Sequence, residues 1–350
     1  MREEIWTEKI FKDDAGYFLR ITKTCETGVM LIQLLILAGG LALILLGANW
    51  LVDGASSIAK KAGVSEFVIG LTIVGIGTSM PELVVSCTGA LQGSSDIAIG
   101  NVIGSNIFNV MLILGVTALI CPVTITKTNR NLDMPLNLAV TAALVLLGMK
   151  HSIFGLGNDS LSRVEGILML AIFALYLYLS FKKGKVTEEE EETEVKLYKN
   201  QVAVVMIIFG LVALVGGGQL FVNSAVELAK MFNVSEKFIA ITILAGGTSL
   251  PELATCVVAA AKKRSQLALG NILGSNISNI LLILGASATI TPLSFGNISV
   301  IDITAVLGSA AFLVFCGLCF RKRARLGVPE GIMLLLMEVV YMTMLIRSVI

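Results

Sequence analysis

Apolar residues in this chain run in long, unbroken stretches rather than with the alternation of a half-buried strand or the one-sided stripe of a soluble helix. A bilayer core of about 30 Å takes roughly 20 mostly apolar residues per helix. Ten stretches meet or approach that length: 30–50, 67–91, 97–121, 135–149, 164–181, 202–222, 238–261, 267–291, 299–320 and 331–346. Polar residues fall between them and at the start. Residues 1–29 mix Arg2, Lys9, Lys12, Arg20 and Lys23 with Glu3, Glu4, Glu8, Asp13, Asp14 and Glu26. With no short apolar core before a small-residue cleavage site, they read as a polar N-terminal tail and not a signal peptide. The longest inner interruption, 182–200, carries the run Glu188–Glu192 without a D-x-D-x-D-G calcium loop and reads as an acidic linker.

Composition agrees with a bilayer protein. Of 350 residues 55% are hydrophobic and 15% charged, with a mean hydropathy of +0.87, against about 25% charged in soluble domains. A net charge of +1 leaves no basic surface for nucleic acid. Assigning alternate loops to opposite sides gathers 16 of the 26 bases on one side, among them Lys60, Lys61, Lys127, Arg130, Lys262, Lys263, Arg264 and Arg321–Arg325. The positive-inside rule puts that side in the cytoplasm and both termini outside. The six cysteines are scattered, and the C-x-x-C of Cys316 and Cys319 lies inside a span, where packing is the expected role.

Sliding the sequence by 170 residues aligns Val52–Pro122 with Val222–Pro292 without a gap, with 33 of 71 positions identical. The match resumes weakly at Val164–Ile167 and Pro329–Ile332. Each half holds five spans. Because five is odd, the second half enters the membrane from the opposite side, the arrangement of inverted-repeat secondary transporters. The expected fold is an all-α integral membrane protein of ten transmembrane helices: a tail (1–29), a first five-helix repeat (30–181), a cytoplasmic linker (182–200) and a second repeat (201–350).

Identity concentrates in two segments per half. Gly75–Leu83 reads G-I-G-T-S-M-P-E-L, and Ala245–Leu253 reads A-G-G-T-S-L-P-E-L. Pro81 and Pro251 each remove a helical donor mid-span, so each helix is expected to kink or break there. Irregular backbone at that depth is tolerated where it lines a wet cavity. Thr78 and Ser79 precede Glu82 by four and three residues, so hydroxyls and carboxylate are expected to share one helix face. The second segment, Gly100–Asn109, repeats as Gly270–Asn279; Asn101, Ser105 and Asn109 form a polar stripe, and Gly100/Gly104 and Gly270/Gly274 allow close backbone approach. Two carboxylates, hydroxyls, amides and freed carbonyls make an all-oxygen donor set without His or Cys, suited to Ca²⁺ and Na⁺ rather than zinc, copper or haem. Two buried anions repel, so the site requires cations or protons. The other acids are set apart: Glu338 has no acidic counterpart in the first half and reads as a local partner or a proton-accessible group, Asp302 as interfacial. His151, the only histidine, reads as a solvated loop residue.

At these motifs the chain resembles the calcium:cation antiporter superfamily in its sodium/calcium exchanger branch, of the prokaryotic type with two alpha-repeats carrying G-T-S-x-P-E and G-N-x-x-G-S-N-x-x-N. The resemblance covers about 30–350. It implies a core of spans 2, 3, 7 and 8, with long, tilted spans 1 and 6. It further implies that Glu82 and Glu252 are shared Ca²⁺/Na⁺ ligands, that Thr78, Ser79, Thr248 and Ser249 supply hydroxyl or carbonyl oxygens, and that Ser105, Asn109, Ser275 and Asn279 complete the sites. Some members have Asp at the position of Asn279; Asn at both 109 and 279 speaks against potassium co-transport and bears on sodium stoichiometry. The expected activity is Na⁺/Ca²⁺ antiport by alternating access in the plasma membrane, with Ca²⁺ and Na⁺ as cargo, no resident cofactor and no enzymatic reaction. A Ca²⁺/H⁺ or other cation antiporter is the nearest alternative and a cation channel a more distant one.

Overall fold

The computed structural model describes residues 2–183, 195–232, 234, 245–296, 298–319 and 325–349; the side chains of residues 2–27, 183, 245, 319 and 348–349 are not among those described. α1 (Arg2–Ala62) is followed by α2 (Glu66–Thr78), which bends by 48° into α3 (Met80–Leu91), and by α4 (Ser95–Ile120) and α5 (Asn129–Gly148). The short α6 (Lys150–Phe154) and α7 (Arg163–Lys183) close the first half. The second half comprises α8 (Asn200–Met231), α9 (Ala245–Gly247), α10 (Leu250–Ala261), α11 (Ser265–Ile290), α12 (Val300–Cys319) and α13 (Val328–Val349).

Among the described residues eight helices are long and apolar enough to cross a membrane, nine when the bent pair α2–α3 counts as one span. They coincide with nine of the ten stretches expected from sequence. The remaining stretch, 238–261, is described from Ala245 onward. Of the linker 182–200, the acidic run Glu188–Glu192 lies outside the described residues. The first span is longer than its apolar window. No proline occurs before Pro81, so nothing stops α1 at either end of 30–50, and the backbone of the polar tail continues that helix.

Contacts between loops sort them onto two faces, as the alternation expected from sequence requires. β1 (Val123–Thr124) pairs antiparallel with β4 (Arg325–Leu326) on one face. β2 (Ser160–Leu161) pairs with β3 (Leu293–Ser294) on the other. Ion pairs Lys262–Asp53 (2.7 Å) and Arg264–Glu66 (2.9 Å) join further loops to the β1–β4 face, as does Gln266 Nε2 donating to Thr124 O at 2.5 Å. Ser294 N donates to Ser95 Oγ at 3.0 Å on the β2–β3 face. Every strand pair joins one half of the chain to the other.

The halves also interlock through glycine. Gly166 on α7 packs against Gly285 O, and Gly331 on α13 against Gly115 O; a Cβ added at either would sit 2.7 or 2.8 Å from that carbonyl. The acids beside them cap their own helices: Glu165 Oε2 accepts from Ser162 N at 2.6 Å, and Glu330 Oε2 from Gly327 N at 2.7 Å. The faint Glu-Gly match at 164–167 and 329–332 is therefore a cap plus a helix contact. α1 and α8 pack antiparallel along a seam in which Gly40 meets Gly217 O, Gly47 meets Gly210 O and Gly54 meets Ala203 O, so close that an added Cβ would sit only 2.7–2.9 Å from each carbonyl. The small residues recur every seventh position on both helices, the spacing that keeps one stripe facing a partner.

Candidate functional site

Each half-span begins again at a proline. Ser79 (φ −81, ψ 11) and Ser249 (φ −89, ψ 8) leave the helix, and Pro81 and Pro251 open the next one in its first turn, where a missing N–H removes no helical bond. Glu82 and Glu252 fall in those first turns, at helix N-termini whose free amides favour negative charge. The break separates Thr78 and Ser79 from Glu82, so the single face expected from a continuous helix does not form.

The hydroxyls instead serve the opposite half. Ser79 Oγ donates to Glu252 Oε1 at 2.9 Å, and Ser249 Oγ donates to Glu82 Oε1 at 3.1 Å. Thr78 Oγ1 donates to Asn271 Oδ1 at 3.2 Å, and Thr248 Oγ1 to Asn101 Oδ1 at 3.4 Å. Each pair is the other shifted by the repeat. Ser105 Oγ adds a 3.4 Å bond to Glu82 Oε1. Ser275 departs from the symmetry and donates to Gly75 O at 3.3 Å. Both acids are 1% exposed. Asn101 ties α4 to α3, donating to Glu82 O at 3.2 Å and Ser86 Oγ at 3.0 Å. Asn271 does the same for α11 and α10 through Cys256 Sγ at 3.2 Å.

A turn further along α4 and α11, four asparagines meet. Asn109 Nδ2 donates to Asn276 Oδ1 and Asn279 Nδ2 to Asn106 Oδ1, both at 3.0 Å. Asn106 Nδ2 reaches Asn276 O at 3.2 Å and Asn276 Nδ2 reaches Asn106 O at 3.5 Å. Asn109 and Asn279 each open a π-helical turn, Asn109–Ile113 and Asn279–Leu284. The amide nitrogens being engaged, the oxygens are left over. Asn109 Oδ1, Asn279 Oδ1, Glu82 Oε2 and Glu252 Oε2 are buried and have no hydrogen-bond partner. These four buried acceptors, equivalent in pairs by the repeat, have no donor, a need that the protein alone does not satisfy. Asn106 and Asn276 lay within the repeated motif but were not singled out as site residues; their duplication was the available signal.

Of the two Thr–Asn pairs, Thr78–Asn271 is buried and Thr248–Asn101 half-buried, so the cluster is less covered toward the end where α4 begins. Gly270 and Gly274 admit α2, whose Phe67 O and Leu71 O would lie 2.1 and 2.2 Å from an added Cβ. Gly100 and Gly104 meet nothing within 4 Å among the described residues. The equivalents of Phe67 and Leu71 in the second half are residues 237 and 241, which lie outside them. Away from the cluster, Glu338 is 5% exposed with Oε2 unpartnered, so the local partner expected for it is missing at that oxygen. Asp302 accepts from Tyr341 OH at 2.9 Å. His151 is exposed on α6 rather than in a loop, its backbone N–H donating to Asp159 Oδ1 at 2.8 Å. Among the described residues no three His, Cys, Asp or Glu side chains form a metal-holding group, leaving two carboxylates with neutral oxygens as the donor set here.

The family profile described as sodium/calcium exchanger protein matches residues 32–182 and 202–347, both halves of the duplication. The chain belongs to the sodium/calcium exchanger family. Among similar proteins, CaxA of Alkalimonas amylolytica is 39% identical over 334 residues, covering 91% of this chain and 100% of CaxA. The sodium/calcium exchanger MaX1 of Methanosarcina acetivorans is 32% identical over 349 residues, covering 90% of this chain and 98% of MaX1. Among solved structures, the sodium-calcium exchanger NCX_Mj soaked with zero Na⁺ and Ca²⁺ superposes with a TM-score of 0.78 at 29% identity, covering 90% of this chain and 99% of NCX_Mj. The exchanger family is one of membrane transporters, and the fold seen here is that of its members: all-α, multi-pass and built from two related halves.

Proposed function

We propose that this protein exchanges Na⁺ for Ca²⁺ across the plasma membrane by alternating access, with the 16-base face in the cytoplasm and both termini outside. Its two five-helix repeats, 30–181 and 201–350, are joined by the linker 182–200. The observation that carries the reading is the set of four unpartnered, buried oxygens on Glu82, Glu252, Asn109 and Asn279, in the centre of a family whose members MaX1 and NCX_Mj are named as sodium/calcium exchangers. Hard cations take such oxygens. Thr78, Ser79, Thr248, Ser249, Ser105 and Ser275 complete the donor set, their hydroxyls turning from neighbouring acceptors to the ion as it enters.

Na⁺ and Ca²⁺ compete for overlapping positions. One Ca²⁺ neutralises the two carboxylates, whereas the empty site keeps two buried charges that oppose the inward–outward switch. Only loaded forms cross, and exchange follows. More than two Na⁺ per Ca²⁺ leave the sodium form positive, so transport carries current.

The test is ⁴⁵Ca²⁺ uptake into proteoliposomes driven by an outward Na⁺ gradient, with K⁺ and H⁺ gradients run in parallel. Uptake is expected with Na⁺ alone; equal uptake with a pH gradient and no Na⁺ overturns sodium coupling, and flux without any counter-ion overturns exchange. Glu82→Gln and Glu252→Gln are each expected to lower uptake by about a hundredfold, the scale of a lost charged ligand. An inside-positive potential is expected to speed uptake, since net positive charge leaves the vesicle when Ca²⁺ enters. Indifference to potential would make the exchange electroneutral.

A further inference from the structure

The duplication contains a turn whose two copies are built from the same hydrogen bonds and different residues. In the first half, Gly93 N donates to Ala90 O and Ser94 N to Gly89 O; in the second, Lys263 N donates to Ala260 O and Arg264 N to Ala259 O. Both central residues lie in the left-handed region, Gly93 at φ +75 and Lys263 at φ +61. Glycine adopts that conformation freely, whereas lysine pays for it in strain. Lys263 is the only non-glycine residue with positive φ among the described residues. The sequence Gln92-Gly93-Ser94 has become Lys262-Lys263-Arg264. Lys262 and Arg264 have acidic partners in Asp53 and Glu66. No acid pairs with Lys263 among the described residues; it lines a cavity of about 430 Å³ together with Arg325, Thr124 and Ser265.

That cavity lies on the β1–β4 face, where Arg325 is the strand partner of Thr124. Its walls are held in place: Ser265 Oγ accepts from Thr124 N at 3.4 Å, which leaves the Ser265 hydroxyl hydrogen free to donate. Two cationic and two hydroxyl-bearing residues line one space, and Ile120, Pro122, Ala260 and Ala261 form an apolar wall at the ends of two spans. Donors of this kind match the oxygens of a phosphate, with arginine able to hold two at once. An apolar wall beside the membrane boundary fits the glycerol and first methylenes of a lipid.

We infer that the cavity bounded by Lys263 and Arg325 is a phosphate site, occupied by the headgroup of an anionic phospholipid on the basic face of the exchanger. The site is separate from the ion cluster and does not depend on which cation drives exchange. It sits where the strand from one half meets the strand from the other, so an occupant bridges both repeats.

The experiment uses the full-length protein. Lys263→Gly restores the residue of the first repeat and relieves the strained φ, so it folds; combined with Arg325→Gln it removes both charges. Native mass spectrometry of wild type is expected to show retained phosphatidylglycerol that this double variant loses by about tenfold or more. Equal retention overturns the site. A charge-matched control, Lys60→Gln with Lys127→Gln on the same face, is expected to keep the lipid; equal loss there means diffuse attraction and also overturns it. The unfolding midpoint of wild type in phosphatidylcholine vesicles separates the sources: a rise with added phosphatidylglycerol only assigns the headgroup, a rise with inorganic phosphate assigns a free anion instead, and a rise with neither overturns the site. Replacing Glu188–Glu192 by Gln tests an occupant from the chain itself. Lipid retention unchanged by that replacement supports the lipid, and retention that appears only after it overturns the assignment.

Discussion

At the residue scale, what matters in the ion cluster is which way four amides point. An asparagine side chain offers donors on one side and an acceptor on the other, and only the acceptor serves a cation. Asn276 Oδ1 and Asn106 Oδ1 occupy the amide nitrogens of Asn109 and Asn279, which leaves Asn109 Oδ1 and Asn279 Oδ1 as buried acceptors without a donor. Asn276→Leu keeps the volume and removes the acceptor, so Asn109 is free to rotate its nitrogen inward. The loss of one such bond, about 1–1.5 kcal/mol, corresponds to roughly a tenfold rise in the KM for Ca²⁺, measured as initial uptake rates, and the buried Asn109 amide left without its acceptor lowers the unfolding midpoint as well. Asn106→Leu acts equally on Asn279; an unchanged KM in both variants would show that neither amide is oriented this way. Sequence made Asn109 and Asn279 visible because a repeated polar residue in an apolar helix has few uses. It did not assign Asn106, Asn276 or the partners of Ser79 and Ser249, because those contacts run between halves 170 residues apart and exist only once the two-fold arrangement is assembled.

At the scale of elements, nine of the ten stretches coincide with described spans, legible because a bilayer allows only long apolar helices, and the prolines marked the breaks. The α1–α8 seam was harder to see. Its glycines are diluted by others with no contact, such as Gly39, whose added Cβ meets nothing within 4 Å. The distinction predicts opposite outcomes for neighbouring residues. Gly47→Ala drives a methyl to 2.7 Å from Gly210 O and 2.8 Å from Leu214 N, forcing the helices apart at about 1–3 kcal/mol, the range for overpacking. Gly39→Ala adds a methyl to open space and gains helix propensity, about 0.5–1 kcal/mol in favour of the fold. Thermal unfolding in detergent is expected to lower the midpoint for the first and hold or raise it for the second. A shared response would show that the seam is not tightly packed there.

At the scale of the whole molecule, the two halves are two strands of sequence in one interlocked body. β1 of the first half needs β4 of the second, and β2 needs β3. α7 rests its Gly166 on Gly285, and α13 its Gly331 on Gly115. The carboxylate of each half takes its hydroxyl from the other. Neither repeat buries its own inner face or completes its own half of the cluster. The covalent linker is by comparison a minor connection: it leaves α7 and enters α8 on the face where Tyr198 N donates to Ser57 Oγ at 2.9 Å and Lys61 Nζ donates to Asn200 Oδ1 at 3.0 Å, so the residues after the acidic run are anchored independently of it. Cutting the chain within 184–194 by an inserted protease site therefore leaves all of these crossed contacts in place. The expected result is that both fragments elute together in detergent under non-denaturing conditions and that Na⁺-driven ⁴⁵Ca²⁺ uptake after reconstitution matches the uncut protein. Fragments that part on cutting would mean that the linker, and not the crossed contacts, holds the repeats in register, and would undo the assignment of a single site shared between them.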